Sequence, residues 1–520
     1  VMGGFNAEHQ NVRTLSAQRD GIIVPDLPTI DTSTEQDVAG GGYNHWATAG
    51  FFGRLNYNYK EKYLLEVNGR YDGTSRFMKD QRWNFFPSFS LGWNVARENF
   101  WKPLESVVNQ FKLRGSWGEL GNQNTSNLYP FYEILPVKSN SGNWLVNGGK
   151  TNTADIPSLV STLLTWERVR SFNVGFDFGA FSNRLTGSFD YFVRKTVDMV
   201  GPAPQLPLVL GIAPAIVNNA DMKSYGFEIE LSWRDRIGEV DYGVKFNLAD
   251  AQQKVVKYPN TTNAFSDWYA GKMSGEIWGY TSLGIAKTDE EMKEHLASLP
   301  NGGQNQLGNK WGAGDIMYAD INGDGKVDGG KGTLADPGDQ RIIGNSTPRY
   351  NFGLVLDASY KGFDVSIFFQ GVGKRDYAPI VGTNGAVFWG AVNNIWQSMA
   401  MEEHFDYFRP EGHPMGANLN GDYPRPDFTS NKNHQVQTRY LQDASYIRLK
   451  NLQIGYTLPK QWINKLHINR CRVYVSGDNL WTGTSLASMF DPETLAAGDW
   501  GSGKTYPLSK VISFGLNVNF

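Results

Sequence analysis

From Asn84 to Asn94 the chain alternates: Phe85, Pro87, Phe89, Leu91 and Trp93 fall on one side, and Phe86, Ser88, Ser90, Gly92 and Asn94 on the other. The same period of two recurs in Phe172, Val174, Phe176 and Phe178 against Asn173, Gly175 and Asp177. It recurs again in Tyr225, Phe227, Ile229, Leu231 and Trp233 against Gly226, Glu228, Glu230, Ser232 and Arg234, then from Val240 to Leu248, Tyr350 to Leu356 and Phe363 to Phe369. Strict alternation over about eight residues predicts strands, and tilted strands of this length span a bilayer. A soluble sandwich that packed the apolar face would also have to bury Asp177, Glu228, Glu230, Arg234 and Lys245, at a cost of several kcal/mol for each unpaired charge. In a wide barrel those residues face a watery or plugged lumen and the apolar face meets lipid. Tyr71, Trp93, Tyr225, Trp233, Tyr350 and Tyr360, at the ends of runs, suit the interfacial girdles.

The pattern predicts strands at residues 51–59, 64–71, 84–94, 108–118, 171–178, 185–193, 225–234, 240–249, 349–360, 363–371, 446–456, 472–480 and 510–520. Short connectors such as Lys60–Tyr63, Arg236–Glu239 and Lys361–Gly362 alternate with long ones at 119–170, 194–224, 250–348, 372–445 and 481–509. Brief turns at one end and large loops at the other are the polarity of an outer-membrane barrel. Connectors near Arg97–Phe100 and Pro459–Trp462 are long enough for a turn of helix. After Tyr446 the apolar phase slips, which predicts a bulge near Lys450–Asn451. Val1–Asn6 reads as the inside of a strand with no secretory leader before it, and the last strand ends on Phe520. The fold class is therefore all-β, a transmembrane antiparallel β-barrel of about 14 strands.

Composition narrows the function. The 49 Lys and Arg against 52 Asp and Glu leave a net charge of −3, without the basic surplus of a nucleic-acid-binding chain. One Cys in 520 residues excludes a disulfide framework and a cysteine-built metal centre. The 58 Gly show no collagen period. No apolar stretch is long enough for a transmembrane helix, which leaves a barrel open because its alternation averages to a soluble-looking hydropathy.

Particular residues carry a family resemblance. Gly53-Arg54-Leu55-Asn56-Tyr57, Arg70-Tyr71-Asp72-Gly73-Thr74-Ser75-Arg76-Phe77, Leu113-Arg114-Gly115-Ser116-Trp117-Gly118, Trp166-Glu167, Tyr360-Lys361-Gly362-Phe363-Asp364, Tyr446-Ile447-Arg448-Leu449-Lys450-Asn451 and Asp491-Pro492-Glu493 resemble the SusC/RagA-type TonB-dependent receptors of Bacteroidetes, in that family's order. The resemblance implies a barrel of roughly 22 strands around a plug. It implies import of nutrients too large for porins across the outer membrane of a Gram-negative bacterium. The implied partners are a SusD-like surface lipoprotein lid, the TonB-ExbB-ExbD complex, and the lipid and lipopolysaccharide of that membrane. Residues 1–520 would be the C-terminal part of the barrel, with the plug, the TonB-contacting segment and roughly eight strands lying upstream. Oligosaccharides are the expected substrate and oligopeptides the alternative. A self-contained passive channel or adhesin-like barrel of about 14 strands is the competing class, distinguished by whether a plug precedes Val1.

Candidate chemistry is confined to loops. Asp320, Asn322, Asp324, Lys326 (through its carbonyl) and Asp328 match the first nine positions of a calcium loop, with Gly325 at the tight turn. The twelfth position is Lys331, so Asp336 or Asp339 would complete a structural Ca2+ site at 320–339 within the 250–348 loop. Gly498 to Thr505 fits the phosphate-loop pattern, but Pro507 and a strand follow where a helix is required, so a Gly-rich loop is expected. Sugars stack on aromatic rings while amides and carboxylates take their hydroxyls. Trp389 with Asn393 and Asn394, Asn143 with Trp144, Asp267 with Trp268, and Asn122 with Gln123 have that character, against a background in which loop tryptophans more often pack the loops themselves. No metalloprotease or serine-hydrolase spacing is present, no catalytic residue is assigned, and Cys471 reads as a packing residue, so an enzyme is not expected.

Overall fold

The computed structural model describes all residues except 126, 203–206, 208, 210, 213, 380–385, 391–400, 464–467 and 496–504. Fourteen strands form one antiparallel sheet in which each strand pairs with its neighbours in sequence. They are β1 (Met2–Ile22), β2 (Ser33–Tyr59), β3 (Tyr63–Thr74), β4 (Trp83–Asn94), β5 (Val108–Asn122), β6 (Glu167–Ala180) and β7 (Leu185–Gly201). The series continues with β8 (Val217–Ile237), β9 (Val240–Lys257), β10 (Arg349–Tyr360), β11 (Phe363–Lys374), β12 (Tyr446–Thr457), β13 (Arg470–Thr484) and β14 (Val511–Asn519). Among the described residues β1 and β14 each pair on one side only.

Register keeps the two faces apart. Leu55, Val67, Phe89, Trp117, Phe172, Val193 and Tyr225 lie side by side across seven strands. On this face Phe51, Phe85, Phe89, Leu91, Phe172, Ile454 and Phe514 are exposed, which in water would be a large uncovered apolar surface. The short turns carry the backbone that tight hairpins need: Lys361 and Gly362 both have positive φ, 46° and 90°. Three-residue turns of 3-10 helix at Val95–Arg97 and a longer one at Asn99–Leu104, with a helix at Lys460–Ile463, occupy the two wider connectors on that side. The expected bulge is present: Phe368 pairs with Asn451 and Phe369 with Leu449, so Lys450 is the extra residue.

Two expectations need correction. Strands β5 to β9 run past the predicted ends, so the 194–224 connector is mostly strand; Arg194, Lys195 and Lys223 break the apolar alternation without ending the backbone ladder. The expected strand at Val1–Asn6 is present, but strand also fills most of the rest before residue 51: β1 and β2 form a hairpin in which only Thr48–Tyr59 of β2 continue into β3. Its polar and glycine-rich sequence has no two-residue signal, because a ribbon wet on both faces needs none.

The long connectors fold together. Tyr280, Leu299, Ile316, Tyr318 and Val327 from one loop pack with Phe388, Trp389, Tyr423, Tyr440 and Ala444 from the next and Leu486, Phe490 and Leu495 from the last. Among the described residues this loop body has one long helix, α1 (Asp289–Ala297), started by the Thr288 side chain accepting the Glu291 N–H at 3.1 Å, with Asp289, Glu290 and Glu291 in its first turn.

Candidate functional site

The polar face of the wall is built from charges that neutralise one another across strands. Arg114 on β5 donates to Asp177 on β6 at 2.9 and 3.1 Å and to Asp190 on β7 at 2.6 Å. Arg472 on β13 bonds Asp364 on β11 and reaches Gln453 on β12 at 3.0 Å. Around Arg114 lies a groove of about 410 Å³ lined by Asn56, Glu66, Ser90, Lys112, Ser116 and Asn173. A wall of this kind offers hydrogen bonds to polar cargo or to another protein surface.

The loop body is pinned over one end by two buried networks. In the first, Asp315 is fully buried and accepts from Arg425 at 2.6 and 2.7 Å, from the Lys432 ammonium at 3.0 Å and from the Asn433 amide at 2.9 Å. Lys432 is itself 1% exposed and also donates to the carbonyls of Asn309 and Lys310. In the second, Arg448 on β12 bonds Glu493 and donates to Asp491 at 2.7 Å, and the bulged Lys450 reaches Glu493 at 2.8 Å. Burial would raise the Asp491 carboxyl, but Arg448 and the backbone N–H groups of Glu493 and Leu508 outweigh it and hold its pKa below the usual value.

A family model described as TonB dependent receptor-like, beta-barrel matches residues 2–480. The chain belongs to the TonB-dependent receptor family. Within that family it resembles the SusC/RagA type. TonB-dependent receptor P3 of Formosa agariphila is 30% identical over 499 residues, covering 90% of this chain and 45% of the relative. TonB-dependent receptor SusC of Bacteroides thetaiotaomicron is 24% identical over 488 residues, covering 90% and 43%. The solved RagAB peptide transporter superposes with a TM-score of 0.77 at 21% identity, over 100% of this chain and 53% of that one, a likeness of fold. The chain spans about half the length of the curated relatives it matches.

The receptor's sequence-predicted site residues are scattered. Trp389 is fully buried in the loop body, 4.6 Å from the His434 ring and 4.7 Å from the Tyr440 ring, so it packs the loops and offers no face to a sugar. Asn393 and Asn394 lie outside the described residues, as does Gly498–Lys504 of the phosphate-loop match. Asn143 and Trp144 are exposed beside a small hairpin of Leu145–Val146 and Gly149–Lys150. Asn122 donates to Glu167 at 2.7 Å, and the Gln123 side-chain oxygen is buried without a partner among the described residues. Asp267 is exposed and its carbonyl accepts from Lys272, whose ammonium sits 5.7 Å from the half-exposed Trp268 ring. Trp268 also borders an apolar pocket of about 450 Å³ with Met199, Val200, Ile216, Met222 and Val255.

In the candidate calcium turn, Asp320 accepts the N–H groups of Gly323 and Gly325 at 2.6 and 2.8 Å, and both glycines have positive φ, 76° and 80°. Asn322 accepts from Asp324. Asp339 is the acid that reaches back, taking the N–H of Ile321 at 2.7 Å and of Asp328 at 2.8 Å, whereas Asp336 lies with Thr333. The Lys326 ammonium is 2.5 Å from Asp328 and 3.9 Å from Asp324, and its hydrogen bond lowers the Asp328 pKa despite burial. Among the described residues no three His, Cys, Asp or Glu side chains converge as a metal site.

The Asp315 and Arg448 networks went unread in the sequence. Only the second left a signal: the Tyr446–Asn451 and Asp491–Glu493 motifs are joined by it.

Proposed function

We propose that the receptor spans the outer membrane of a Gram-negative bacterium and takes part in TonB-dependent import of oligosaccharides. In this reading a SusD-like lipoprotein covers the loop body, which faces outward, and the protein has no enzymatic role. The observation that supports it most is the division of the wall: an exposed apolar outer face and an inner face of paired charges and amides, with loops packed as one body at one end only. Asn143 with Trp144, exposed together, support a glycan as cargo. Oligopeptides are the second reading, favoured by the aliphatic, Met-rich pocket beside Trp268, which suits an apolar side chain better than a sugar. Titrating the purified receptor with its lipoprotein against glycan and peptide mixtures should give saturable glycan binding; saturation by peptides alone would sink the glycan assignment.

The same proposal includes a structural calcium ion in the 320–339 turn. Its support is the oxygen donor set of Asp320, Asn322, Asp324, the Lys326 carbonyl and Asp328 with Asp339 behind them; the Lys326 ammonium must swing out to admit the ion. Chelation is expected to raise protease cleavage within residues 250–348, and Lys326→Met to slow that cleavage in calcium. An unchanged cleavage pattern after chelation overturns the calcium reading.

A further inference from the structure

Trp117, Phe172, Val193 and Tyr225 are opposed to one another on strands β5 to β8, on the apolar outer face. The next outward residues toward the loop end are Glu119, Arg170, Lys195 and Lys223, also opposed in register, and Lys223 faces Lys254 on β9. Four basic residues thus stand side by side on four adjacent strands, about 7 Å along the strand beyond the apolar row.

Among the described residues protein balances the charge of Arg170 but not those of the three lysines. Arg170 donates to Glu119 at 2.7 Å, and Arg168 shares Glu119 and Asp198. Among the described residues no carboxylate lies within 4 Å of Lys195, Lys223 or Lys254; the Lys223 ammonium rests 5.0 Å from the Tyr225 ring. Like charges directly opposite on paired strands repel, and at the edge of a hydrocarbon layer water screens them poorly. A strand ladder that keeps such a row at that height is complementary to an anion arriving from the lipid side. The row below supplies the other half of the ligand's chemistry: Phe172, Val174 and Tyr191 are exposed and apolar, a surface for acyl chains.

We propose that Arg170, Lys195 and Lys223, with Lys254 at the margin, bind the phosphate of a phosphorylated acyl-glycolipid of the outer leaflet, whose chains lie along the stripe from Phe172 to Tyr225. The ammonium groups meet phosphate oxygens in charge-assisted hydrogen bonds, and Glu119 orients Arg170 from behind. The site requires the membrane-spanning wall and is independent of what the receptor imports.

The test uses the full-length receptor in detergent, with native mass spectrometry counting bound monophosphoryl lipid A, its dephosphorylated form, or inorganic phosphate. The intact protein should retain the phosphorylated lipid and not the dephosphorylated one. Lys195→Gln/Lys223→Gln should weaken retention at least tenfold, while Lys195→Arg/Lys223→Arg keeps it. Heat-modifiable migration checks that both variants are folded, and the comparison of the two lipids on unmodified receptor stands whether or not they are. Equal retention of the dephosphorylated lipid, or undiminished binding by a folded Gln variant, overturns the site. Displacement of the lipid by inorganic phosphate at equal molar affinity overturns the lipid as its ligand.

Discussion

Asp315→Ala is expected to unfold the loop body while the wall stays intact. Asp315 is fully buried, and its two oxygens are shared among Arg425, Lys432 and Asn433. Removing it leaves the Lys432 ammonium, 1% exposed, without its closest counter-charge; breaking one partner out of a buried pair costs about 3–5 kcal/mol. Asp427, 3.6 Å from Lys432 and partly exposed, stays as a weaker counter-charge and offsets only part of the loss. The measurement is limited proteolysis with heat-modifiable migration of the barrel as control. New cleavage within 250–348 and 401–445 with unchanged migration is the expected result. A protease pattern identical to that of the unmodified receptor would show that Asp315 does not hold these loops together.

The second large effect is an acid-induced loosening of the same body. Among the described residues both ring nitrogens of His434 are buried without partners beside Trp389, and burial pushes its pKa down to about 4. The unfolded chain would protonate this ring near its ordinary value of about 6.5. The folded pKa is therefore below the unfolded one: the unfolded state binds the extra proton first, and stability is full above about pH 6.5 and falls as the pH drops toward 4. A shift of this size corresponds to roughly 3 kcal/mol across that window. Protease sensitivity of the loop body should rise between pH 6.5 and 4, and His434→Leu should flatten the dependence. An equally steep profile in His434→Leu would assign the acid sensitivity to other groups.

Alternation made the membrane-crossing parts of the strands readable, because lipid on one side and a polar interior on the other force a period of two. Where both faces are wet, that constraint lapses. The ribbon from Ala7 to Arg19 paired with Asp37 to Ala49 carries Gly40, Gly41 and Gly42 and no apolar stripe, and so escaped sequence reading. The loop body was hidden for a different reason. Its contacts join residues more than 100 positions apart, as between Asp315 and Asn433 or the Tyr318 hydroxyl and the Lys432 carbonyl, and no local pattern encodes them. Trp389 shows the consequence for site prediction: a loop tryptophan next to asparagines looks like a sugar platform until the packing partners Tyr423, Tyr440 and His434 are in place.

A membrane strand is written in a frame of two letters, and Lys450 is a one-letter insertion. Before it, Ile447 and Leu449 share a side; after it, Leu452 and Ile454 do, so the strand changes frame partway along without turning over. The inserted letter is also the one that reaches Glu493. Deleting Lys450 would therefore restore a single frame: Leu452 and Ile454 would stay on the lipid side with Ile447 and Leu449, and the strand would lose its bulge and the bond to Glu493 that the bulge makes.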